Sequence, residues 1–339
     1  MGMVKAFSYG SGSYEIASAL QFHRVDYLGV AYADEGVDLR RSGVSLPIMV
    51  MNPENTSYDN MIHHYLEPEI YNFKGFTMFE EALARNPFME DKAYPIHIKI
   101  DTGMHRLGFS EDELPQLIMR IKNNKRIQIK SIFSHLAASD EPAHDLFTQE
   151  QFSLFKRCAE QIMSHFNYEI DRHILNTNGI LRFPEAQMDM VRIGIGLYGT
   201  CEDEFHQRNL KEVSTLKTSI SQIKKVPNSE SVGYSRKGRS SSDMVVATVP
   251  IGYADGLRRS LGNGVGYMTI NGYKAKIIGN VCMDMCMLDV TEVPVKEGDE
   301  VIVFGEGHSV KDFSRSMGTI PYEALTGISP RVKRIYFQE

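Results

Sequence analysis

The sequence predicts an α/β fold, a (β/α)8 TIM-type barrel followed by a smaller β-rich C-terminal domain. Short apolar runs alternate with longer amphipathic stretches through the first two-thirds of the 339 residues, as in repeated βα units. After about Asn209 the chain becomes rich in Val, Thr and Ile, in segments that Gly, Asn and Asp interrupt. A chain of this length has room for two domains, each with its own core. We therefore expect the barrel over residues 1–212 and the second domain over residues 213–339.

Eight apolar runs of strand length are the candidate barrel strands, and eight parallel strands favour a closed barrel over an open sheet. These runs are Met3–Tyr9, Tyr27–Ala31, Pro47–Met51, Glu67–Tyr71, Ile96–Asp101, Ile127–His135, His173–Asn178 and Met190–Gly194. Patterns typical of helices lie between them, including Tyr14–His23, Phe76–Arg85, Glu113–Lys122 and His144–Phe166.

The second domain is predicted from five segments with β-type composition and from turn residues between them. The segments are Val245–Val249, Tyr267–Ile270, Tyr273–Ile278, Cys286–Val290 and Glu300–Phe304. The turn signals are Asn271–Gly272 and Glu297–Gly298–Asp299.

Composition argues against several classes of partner. The formal net charge of -6 and the isoelectric point near 6.0 provide no basic surplus for binding nucleic acid or anionic lipid. No apolar run approaches the roughly 18 residues that a membrane span needs, and the N-terminus lacks a signal-peptide pattern. We expect a cytoplasmic protein with a small-molecule partner, no nucleic acid and no membrane.

The cysteines point to neither disulfides nor a metal. There are four, Cys158, Cys201, Cys282 and Cys286, and none forms a C-x-x-C pair. Cys282 and Cys286 lie in an apolar stretch, so buried reduced thiols are favoured over metal ligands. We expect no metal site.

Polar residues that close the apolar runs are the candidates for chemistry, because functional groups of a barrel sit at the C-terminal ends of its strands. Lys5 lies in the first run, where an ordinary surface lysine is the commoner interpretation. Lys99 alternates with apolar neighbours in the fifth run, and Arg106 follows a glycine turn that can present a guanidinium to a carboxylate. His135 closes the sixth run, and a lone histidine there is more often structural than catalytic.

The eighth run predicts a phosphate site. Barrel enzymes commonly bind phosphate with loops after the seventh and eighth strands, where glycines let backbone N–H groups approach the anion. Gly194 and Gly196 fit that role. Arg192, in the apolar part of the run, needs an acceptor, which could be a pyridine nitrogen or a structural aspartate.

Together these segments resemble alanine racemase, a family of fold-type III enzymes that use pyridoxal 5'-phosphate (PLP), and the resemblance covers nearly the whole chain. The stretch from Lys5 to Gly10 resembles the family's PLP-lysine motif, which implies that Lys5 forms a Schiff base with PLP and that the Tyr9 hydroxyl binds its phosphate. The stretch from Asp101 to Gly108 resembles the segment whose arginine, here Arg106, helps to hold substrate and cofactor. In the family the upstream lysine, here Lys99, is often carbamylated to orient that arginine.

The resemblance also assigns roles to residues of the seventh and eighth runs. Arg192 is implied to contact the pyridine nitrogen, and Asn176 and Thr177 stand in place of an Asn-Ser phosphate contact, which keeps the hydroxyl. Gly194 and Ile195 are implied to complete the cofactor site. Supporting roles fall to a further set of residues, namely Lys99, His135, His173 and Asp284.

Three motifs of the second domain resemble the same family. Val232-Gly233-Tyr234-Ser235 is similar to the catalytic-tyrosine motif, and the stretch from Pro250 to Gly256 to its glycine-rich turn. Cys282-Met283-Asp284 is similar to the segment that meets the substrate carboxylate, which makes Met283 a substrate-binding residue.

The resemblance implies a two-base mechanism for interconverting L- and D-alanine. PLP delocalises the charge of the deprotonated substrate, and inversion without mixing of faces calls for a base on each side. Lys5 then serves the D-face, and Tyr234, with His135 as its hydrogen-bond partner, serves the L-face. Arg192 should keep the pyridine nitrogen unprotonated and so limit stray transamination.

Family members are head-to-tail homodimers with shared active sites, so the resemblance implies that Tyr234 acts in the partner's barrel. It also implies that the product D-alanine is supplied for peptidoglycan.

Two departures from the family are visible. Members have a strand of the second domain and a helix before the PLP lysine, whereas Lys5 is almost the first residue here, so we expect a fragment or the second half of a longer polypeptide. Some members carry a phosphate-binding tyrosine at the position of Pro330, and that contact cannot exist in this chain.

Three alternatives remain open from the residues. A PLP-dependent amino-acid decarboxylase of the same fold would place a carboxylate at the pyridine nitrogen, where this sequence has Arg192. A non-catalytic PLP-binding protein would be a single barrel, without the domain that bears Tyr234. Only the joint occurrence of the motifs argues against a barrel with no catalytic role.

Overall fold

The computed structural model describes residues 1–86 and 93–337, which divide into two compact units. The first unit comprises Met1–Ser8, Gly12–Leu197 and Cys201–Asn209. The second comprises Tyr9–Ser11, Tyr198–Thr200 and Leu210–Glu339.

The first unit contains seven parallel strands in the spatial order of the sequence, β1 to β7. Their bounds are β1 Gly2–Met3, β2 Leu28–Val30, β3 Ile48–Val50, β4 Glu67–Ile70, β5 Tyr94–Lys99, β6 Ile127–Phe133 and β7 Asp171–His173. An irregular eighth segment closes the ring, because Met3 N–H donates to Ile193 O (2.9 Å) and Arg192 N–H donates to Leu175 O (3.1 Å). The predicted barrel is confirmed, with its eighth position held by a parallel bridge between Gly2 and Ile193.

Two predicted strands were wrong in extent. Strand β1 ends at Met3, and Ala6, Phe7, Ser8 and Tyr9 have φ angles of 53°, 55°, 49° and 50°, which makes this stretch a left-handed turn. The alternation of apolar and polar residues in the run looked like a strand because periodicity carries no information on the sign of φ.

The seventh run was also displaced, since its polar end belongs to a helix. Strand β7 stops at His173, and the helix Thr177–Arg182 begins where the run was expected to end. Asn176 caps that helix by accepting a hydrogen bond from Gly179 N–H at 2.9 Å.

Helices of the first unit follow the strands and bury one apolar face. Their bounds are Ser13–Phe22, Ala33–Arg41, Tyr58–His63, Phe73–Arg85, Leu114–Lys122, Asp145–Met163, Thr177–Arg182 and Glu204–Gln207. In Leu114–Lys122 the buried positions are Leu114, Leu117, Ile118 and Ile121, which is the spacing of one helical stripe. These side chains join one core with the apolar residues of strands β2 to β6.

The second unit contains an antiparallel sheet of seven strands in the order β8-β14-β11-β12-β13-β10-β9. Their bounds are β8 Leu216–Ser219, β9 Gln222–Val226, β10 Met244–Val249, β11 Tyr267–Ile270, β12 Tyr273–Ile278, β13 Cys286–Asp289 and β14 Glu300–Phe304. Two helices, Val310–Ser316 and Pro321–Thr326, follow the sheet. The five predicted strands are all present, and β8 and β9, the two edge strands, were missed because their sequences are polar.

The predicted hairpin turn at Asn271–Gly272 is confirmed. Asn271 and Gly272 have φ angles of 51° and 83°, and they connect β11 to β12 with Ile270 paired to Tyr273. Positive φ at both central residues is the geometry that an Asn-Gly turn favours. Over the described residues, none of the helices is both long and apolar enough to cross a membrane.

Candidate active site

Lys5 lies two residues after the C-terminal end of strand β1 and opens the left-handed turn. Val4 N–H still pairs with Gly29 O at 2.9 Å, and Ser8 N–H then donates back to Val4 O at 3.1 Å. Left-handed conformation costs an L-residue roughly 1–2 kcal/mol, and the residues with φ near 50° here are consecutive. Strain of this kind persists only when surrounding contacts hold it, and it clusters at functional sites.

Glu35 is the contact that holds this turn. Its carboxylate accepts Ala6 N–H at 2.6 Å, Ala31 N–H at 2.7 Å and Tyr32 N–H at 3.2 Å. It thus ties the loop after β1 to the loop after β2. Glu35 is not among the site residues predicted from the sequence, although a glutamate in the first turn of Ala33–Arg41 is a recognisable helix-start signal.

Four cationic side chains share the electrostatic environment of the barrel mouth: Lys5, Lys99, Arg106 and Arg192. The pKa of Lys5 is lowered, first by burial and then by the charge of Arg106, with smaller contributions from Lys99 and Arg192. A lowered pKa increases the fraction of neutral amine, which is the nucleophilic form. The predicted site residues Lys5, Lys99, Arg106 and Arg192 are therefore brought together in the first unit.

Lys99 is paired with a buried acid that the sequence analysis missed. Its Nζ lies 3.2 Å from Glu69 Oε1, and the Glu69 side chain is fully buried. Burial opposes charge on both partners, so the pKa of Lys99 is lowered and the pKa of Glu69 is raised to about 7. Among the described residues neither Glu69 oxygen accepts a well-formed hydrogen bond. The position of Glu69 inside the fourth run, between Pro68 and Ile70, is the signal that could have identified it.

Arg192 is buried, and both terminal nitrogens of its guanidinium are engaged by groups of the barrel rather than by an aspartate. Its Nη1 donates to His173 Nδ1 at 2.6 Å, and its Nη2 donates to Ser134 O at 2.7 Å and Ile174 O at 3.0 Å. Burial lowers the pKa of Arg192 to about 10, so the guanidinium stays charged near neutral pH. The sequence left open whether a pyridine nitrogen or an aspartate accepts from Arg192. Among the described residues no aspartate accepts a hydrogen bond from it.

His135 also lies against Arg192. Its Nδ1 is 3.3 Å from Arg192 Nη2, and a guanidinium can only donate, so Nδ1 accepts. Burial, followed by the charge of Arg192, holds the pKa of His135 well below the usual range. The ring is therefore neutral, with its single proton on Nε2.

Thr177 and the glycines of the eighth run form a small cradle. The Thr177 hydroxyl oxygen accepts Gly194 N–H at 3.0 Å and Gly196 N–H at 3.3 Å. Because both lone pairs are used, the hydroxyl proton is left to donate to an outside acceptor. A Cβ on Gly196 would sit 2.8 Å from the methyl carbon of Thr177, so this approach requires glycine.

The other two residues predicted near this cradle have different surroundings. The Asn176 side-chain oxygen accepts Gly179 N–H and also the Ser139 hydroxyl at 2.8 Å, so it is used within the protein. Ile195 is buried at the start of the 3-10 turn Ile195–Tyr198.

The second unit contains Tyr9, whose ring is buried. It stacks on Tyr198 with ring centroids 4.5 Å apart, and Tyr322 lies at 5.9 Å. Burial raises the pKa of Tyr9, so its hydroxyl remains protonated and able to donate.

Tyr234 lies in an exposed loop of the second unit. Reciprocal hydrogen bonds between Val232 and Gly238 close the loop, and Asn280 Nδ2 donates to Tyr234 O at 3.1 Å. The Tyr234 side chain is 67% exposed. In the part of the chain that the structure describes, its hydroxyl contacts no hydrogen-bond partner, so the backbone is fixed and the phenol is free.

Met283 and Asp284 lie on a second exposed loop, which is tied to neighbouring loops. Arg331 donates from Nη2 to Asp284 and from Nε to Asp255, both at 2.7 Å. Tyr253 N–H donates to Cys282 O at 3.0 Å. Met283 is 53% exposed, so the loop presents an apolar side chain supported by an ion-pair cluster. Pro330, next to Arg331, has no hydroxyl to offer.

Chemically, the first unit offers an amine with a lowered pKa, a guanidinium cluster and a hydroxyl cradle, and the second unit offers a free phenol. Across residues 1–86 and 93–337, there is no group of three or more His, Cys, Asp or Glu side chains that could hold a metal ion.

Comparisons with known proteins identify the same family over both units. The model described as "Alanine racemase, N-terminal domain" matches residues 1–202, and "Alanine racemase, C-terminal domain" matches residues 213–336. Alanine racemase 1 of Clostridium acetobutylicum is 36% identical over 349 aligned residues, covering 100% of this chain and 89% of that protein.

Solved structures agree. Alanine racemase of Clostridium difficile 630 has a TM-score of 0.91 at 32% identity, covering 99% of this chain and 88% of that one. Alanine racemase from Bartonella henselae, with covalently bound pyridoxal phosphate, has a TM-score of 0.87 at 29% identity, covering 99% and 92%.

Proposed function

Because the chain belongs to the alanine racemase family, and is therefore a PLP-dependent isomerase that interconverts L- and D-alanine, we propose that Lys5 and Tyr234 are its two catalytic bases. The observation that carries the proposal is the setting of Lys5. A strained turn after β1 presents its amine, and the pKa of that amine is lowered by burial and by neighbouring cations.

The residues of the first unit fit PLP. When bound, PLP delocalises the negative charge left on an amino acid after removal of its α-proton. The Lys5 amine would attach it, and the phosphate would be held by the Thr177 hydroxyl, whose proton is left to donate, and by the backbone around Gly194 and Ile195. Tyr9 would donate to the same phosphate, and Asn176 would support the loop through its cap on Gly179.

Arg192 would bind the pyridine nitrogen of PLP. It is buried, and its contacts to His173, Ser134 and Ile174 fix the guanidinium plane. A charged donor at that nitrogen keeps it unprotonated, which limits charge withdrawal and side reactions. His173 is thus a supporting residue.

Tyr234 removes or returns the proton on the face opposite to Lys5. A phenol needs a neighbour that favours the phenolate, and His135 supplies it, since its Nε2 carries a proton that can donate to the phenol oxygen. The exposed Tyr234 loop reaches the barrel of a partner subunit, so the active form is a homodimer with shared sites.

The substrate is alanine, and Arg106 and Met283 bind its carboxylate. Arg106 is exposed and makes no hydrogen bond within the described residues, so its guanidinium is available. Lys99, held by its buried pair with Glu69, is a supporting residue near the charge of Arg106, and Asp284 supports Met283 through Arg331. In the cell the enzyme acts in the cytoplasm and supplies D-alanine for peptidoglycan.

The direct test is racemisation of L-alanine by the chain, alone and extended at its N-terminus, with PLP added. Lys5→Ala should lose several orders of magnitude of activity and the absorbance at about 420 nm expected of lysine-bound PLP. Lys74→Ala, which changes an exposed helical lysine, is the matched control. Retention of most activity in Lys5→Ala would contradict the assignment.

Subunit mixing tests the shared site. Lys5→Ala and Tyr234→Phe chains are each inactive, but free exchange makes half of the dimers mixed, and each mixed dimer has one intact site. Activity should recover to about a quarter of the wild-type value. Tyr273→Phe, an exposed tyrosine on β12, is the control for the phenol. No recovery despite demonstrated exchange would show that both bases come from one chain.

A further inference from the structure

A path of buried hydrogen bonds leads from Arg192 into the interior of the barrel. Arg192 Nη1 is 2.6 Å from His173 Nδ1, and His173 Nε2 is 2.8 Å from Ser131 Oγ. Ser131 Oγ is 2.7 Å from His97 Nδ1, and His97 Nε2 is 2.8 Å from Glu67 Oε2. Each of four neighbouring strands, β4 to β7, contributes one side chain. The path therefore crosses from the N-terminal end of β4 to the C-terminal end of β7.

The chemistry of the two ends imposes one direction on this path. A guanidinium only donates, so His173 Nδ1 accepts. The pKa of His173 lies well below its usual range because the ring is buried beside Arg192, so the ring is neutral and its one proton is on Nε2. That proton is donated to Ser131 Oγ.

The same reasoning continues from Ser131 to the carboxylate. The Glu67 carboxylate can only accept, so His97 donates to it from Nε2. In that tautomer Nδ1 of His97 carries no proton, so it accepts the Ser131 hydroxyl proton, while Ser131 Oγ accepts from His173. A carboxylate accepts only, and it also accepts the Tyr27 hydroxyl at 2.9 Å. Every donor in the path has one acceptor.

We propose that Glu67 and Ser131 are positioning residues for racemisation, which fix the tautomers of His97 and His173 and thereby hold the Arg192 guanidinium in place. This inference rests on the proposed role of Arg192 at the pyridine nitrogen. With the other tautomer of His173, an N–H group would face the N–H group of Arg192. Because Ser131, His97 and His173 are fully buried, water cannot compensate for such a mismatch.

The tautomers can be observed directly in the full chain with ¹⁵N-labelled histidine. Nitrogen NMR distinguishes a protonated ring nitrogen from an unprotonated one, and His97→Gln and His173→Gln assign the two signals by their disappearance. The His173 ring should be neutral, and both rings should carry a proton on Nε2 and none on Nδ1. A His173 ring that is protonated on Nδ1, or on both nitrogens, would overturn the proposal without any reference to activity.

Ser131→Ala interrupts the hydrogen-bond path at its middle residue. Ser131→Thr is the rescue variant, because it keeps the hydroxyl. Ser131→Ala should give mixed His173 tautomers, whereas Ser131→Thr should keep the Nε2 form. Glu67→Gln should disturb His97 first and His173 less. Tyr27→Phe, which removes a donor to Glu67 outside the path, should leave both rings unchanged. An unaltered His173 signal in Ser131→Ala would refute the coupling.

A functional readout separates positioning from folding. If Arg192 is no longer held in place, the amount of pyruvate formed per racemisation event should rise several-fold in Ser131→Ala. In Ser131→Thr this ratio should stay at the wild-type value. Mere destabilisation would lower both rates together. If the tautomers change but the ratio of pyruvate formation to racemisation does not, Arg192 is not positioned by the hydrogen-bond path. If the wild type neither racemises alanine nor forms pyruvate, the proposed function fails, while the NMR result still decides the hydrogen-bond direction.

Discussion

At the scale of single residues, the pair of Lys99 and Glu69 shows how the barrel tolerates buried charge. Removing two ions from water is costly, and the attraction between them offsets this cost only while both partners remain. The 3.2 Å pair is almost without solvent access. The pair therefore stabilises the fold only while both side chains are present. Mutation of one partner should lower the free energy of unfolding more than mutation of both.

Lys99→Met should destabilise the protein by about 3–5 kcal/mol at about pH 8, because Glu69 loses its ionic partner and must either stay charged in a buried site or take up a proton. Lys99→Met combined with Glu69→Leu should recover most of that loss. The measurement is the free energy of unfolding in urea for the two single variants and the double variant. Additive effects of the single changes would show that the two side chains do not interact.

The same variant has a pH signature. The pKa of Glu69 in the folded chain is about 7, above its unfolded value, so the protonated acid favours folding and this stabilisation is lost as pH rises through 7. Without the Lys99 charge the folded pKa rises further. The stability deficit of Lys99→Met relative to wild type should therefore be larger at pH 8 than at pH 5.5, measured by the same urea titration.

His173 and His135 should make the fold sensitive to acid. Their pKa values are held well below 6.5 in the folded chain, by burial and by Arg192, so only the unfolded chain takes up protons just below pH 6.5. Stability is fully present above 6.5 and falls by about 1.4 kcal/mol per pH unit for each ring as pH decreases. Glu69 makes stability change with pH in the opposite direction. The effect of one histidine must therefore be measured as the difference between the wild type and a variant.

The difference between wild type and His173→Gln isolates one ring. The slope of unfolding free energy against pH, between pH 5 and 6.5, should decrease by the equivalent of one proton. His23→Gln, an exposed histidine, should leave the slope unchanged. Equal slopes for wild type and His173→Gln would mean that His173 is protonated in the folded protein.

At the scale of elements, the turn from Lys5 to Tyr9 depends on a helix that lies elsewhere in the sequence. Glu35, in the first turn of Ala33–Arg41, collects three backbone N–H groups from the ends of two strands. Charge-assisted hydrogen bonds of this kind are among the stronger ones in proteins. They offset the strain of the left-handed residues and so decide where the Lys5 amine points.

Glu35→Ala should loosen this turn and remove a capping hydrogen bond at the start of the helix Ala33–Arg41. We expect a stability loss on the order of 1–3 kcal/mol, since three donors lose their acceptor. Amide hydrogen exchange should accelerate at Ala6 and Ala31, with a loss of racemase activity. Asp34→Ala removes an exposed neighbouring carboxylate and should change neither property. Unchanged exchange at Ala6 in Glu35→Ala would show that the turn holds itself.

At the scale of the whole molecule, the cofactor should contribute to stability, because a ligand that binds only the folded state shifts unfolding by mass action. In the cradle of Thr177, Gly194 and Gly196, the Thr177 oxygen accepts two backbone N–H groups, so its hydroxyl proton is left to donate to a ligand. This donor should distinguish PLP from pyridoxal, which lacks the phosphate.

PLP should raise the thermal unfolding midpoint of the wild type more than pyridoxal does, and Thr177→Val should reduce that difference. At one hundred times Kd the expected gain is about 2.7 kcal/mol. Thr177→Ser, which keeps the hydroxyl, is the matched control. An equal response of Thr177→Val and Thr177→Ser to PLP would exclude the hydroxyl from phosphate binding.

The sequence by itself determined the fold class, because both the apolar strands of the barrel and the antiparallel segments of the second unit have local periodicity. It also determined the Asn271–Gly272 turn, since the required φ angles are a property of those two residues. Motifs such as Lys5–Tyr9 identified candidate site residues, but they carried no geometry. Polar edge strands such as Gln222–Val226 were not recognised, because neither face of such a strand is consistently apolar.

Only the tertiary structure decided which groups act on those candidates. Glu35 meets Ala6 across 29 residues of sequence, and Arg192 meets Ser134 across 58. The buried path from Glu67 to Arg192 needs four adjacent strands in register before any of its hydrogen bonds can form. Hydrogen bonds, ion pairs and left-handed strain of this kind depend on atoms brought together by folding. Local patterns of hydrophobicity specify the elements and leave these contacts undetermined.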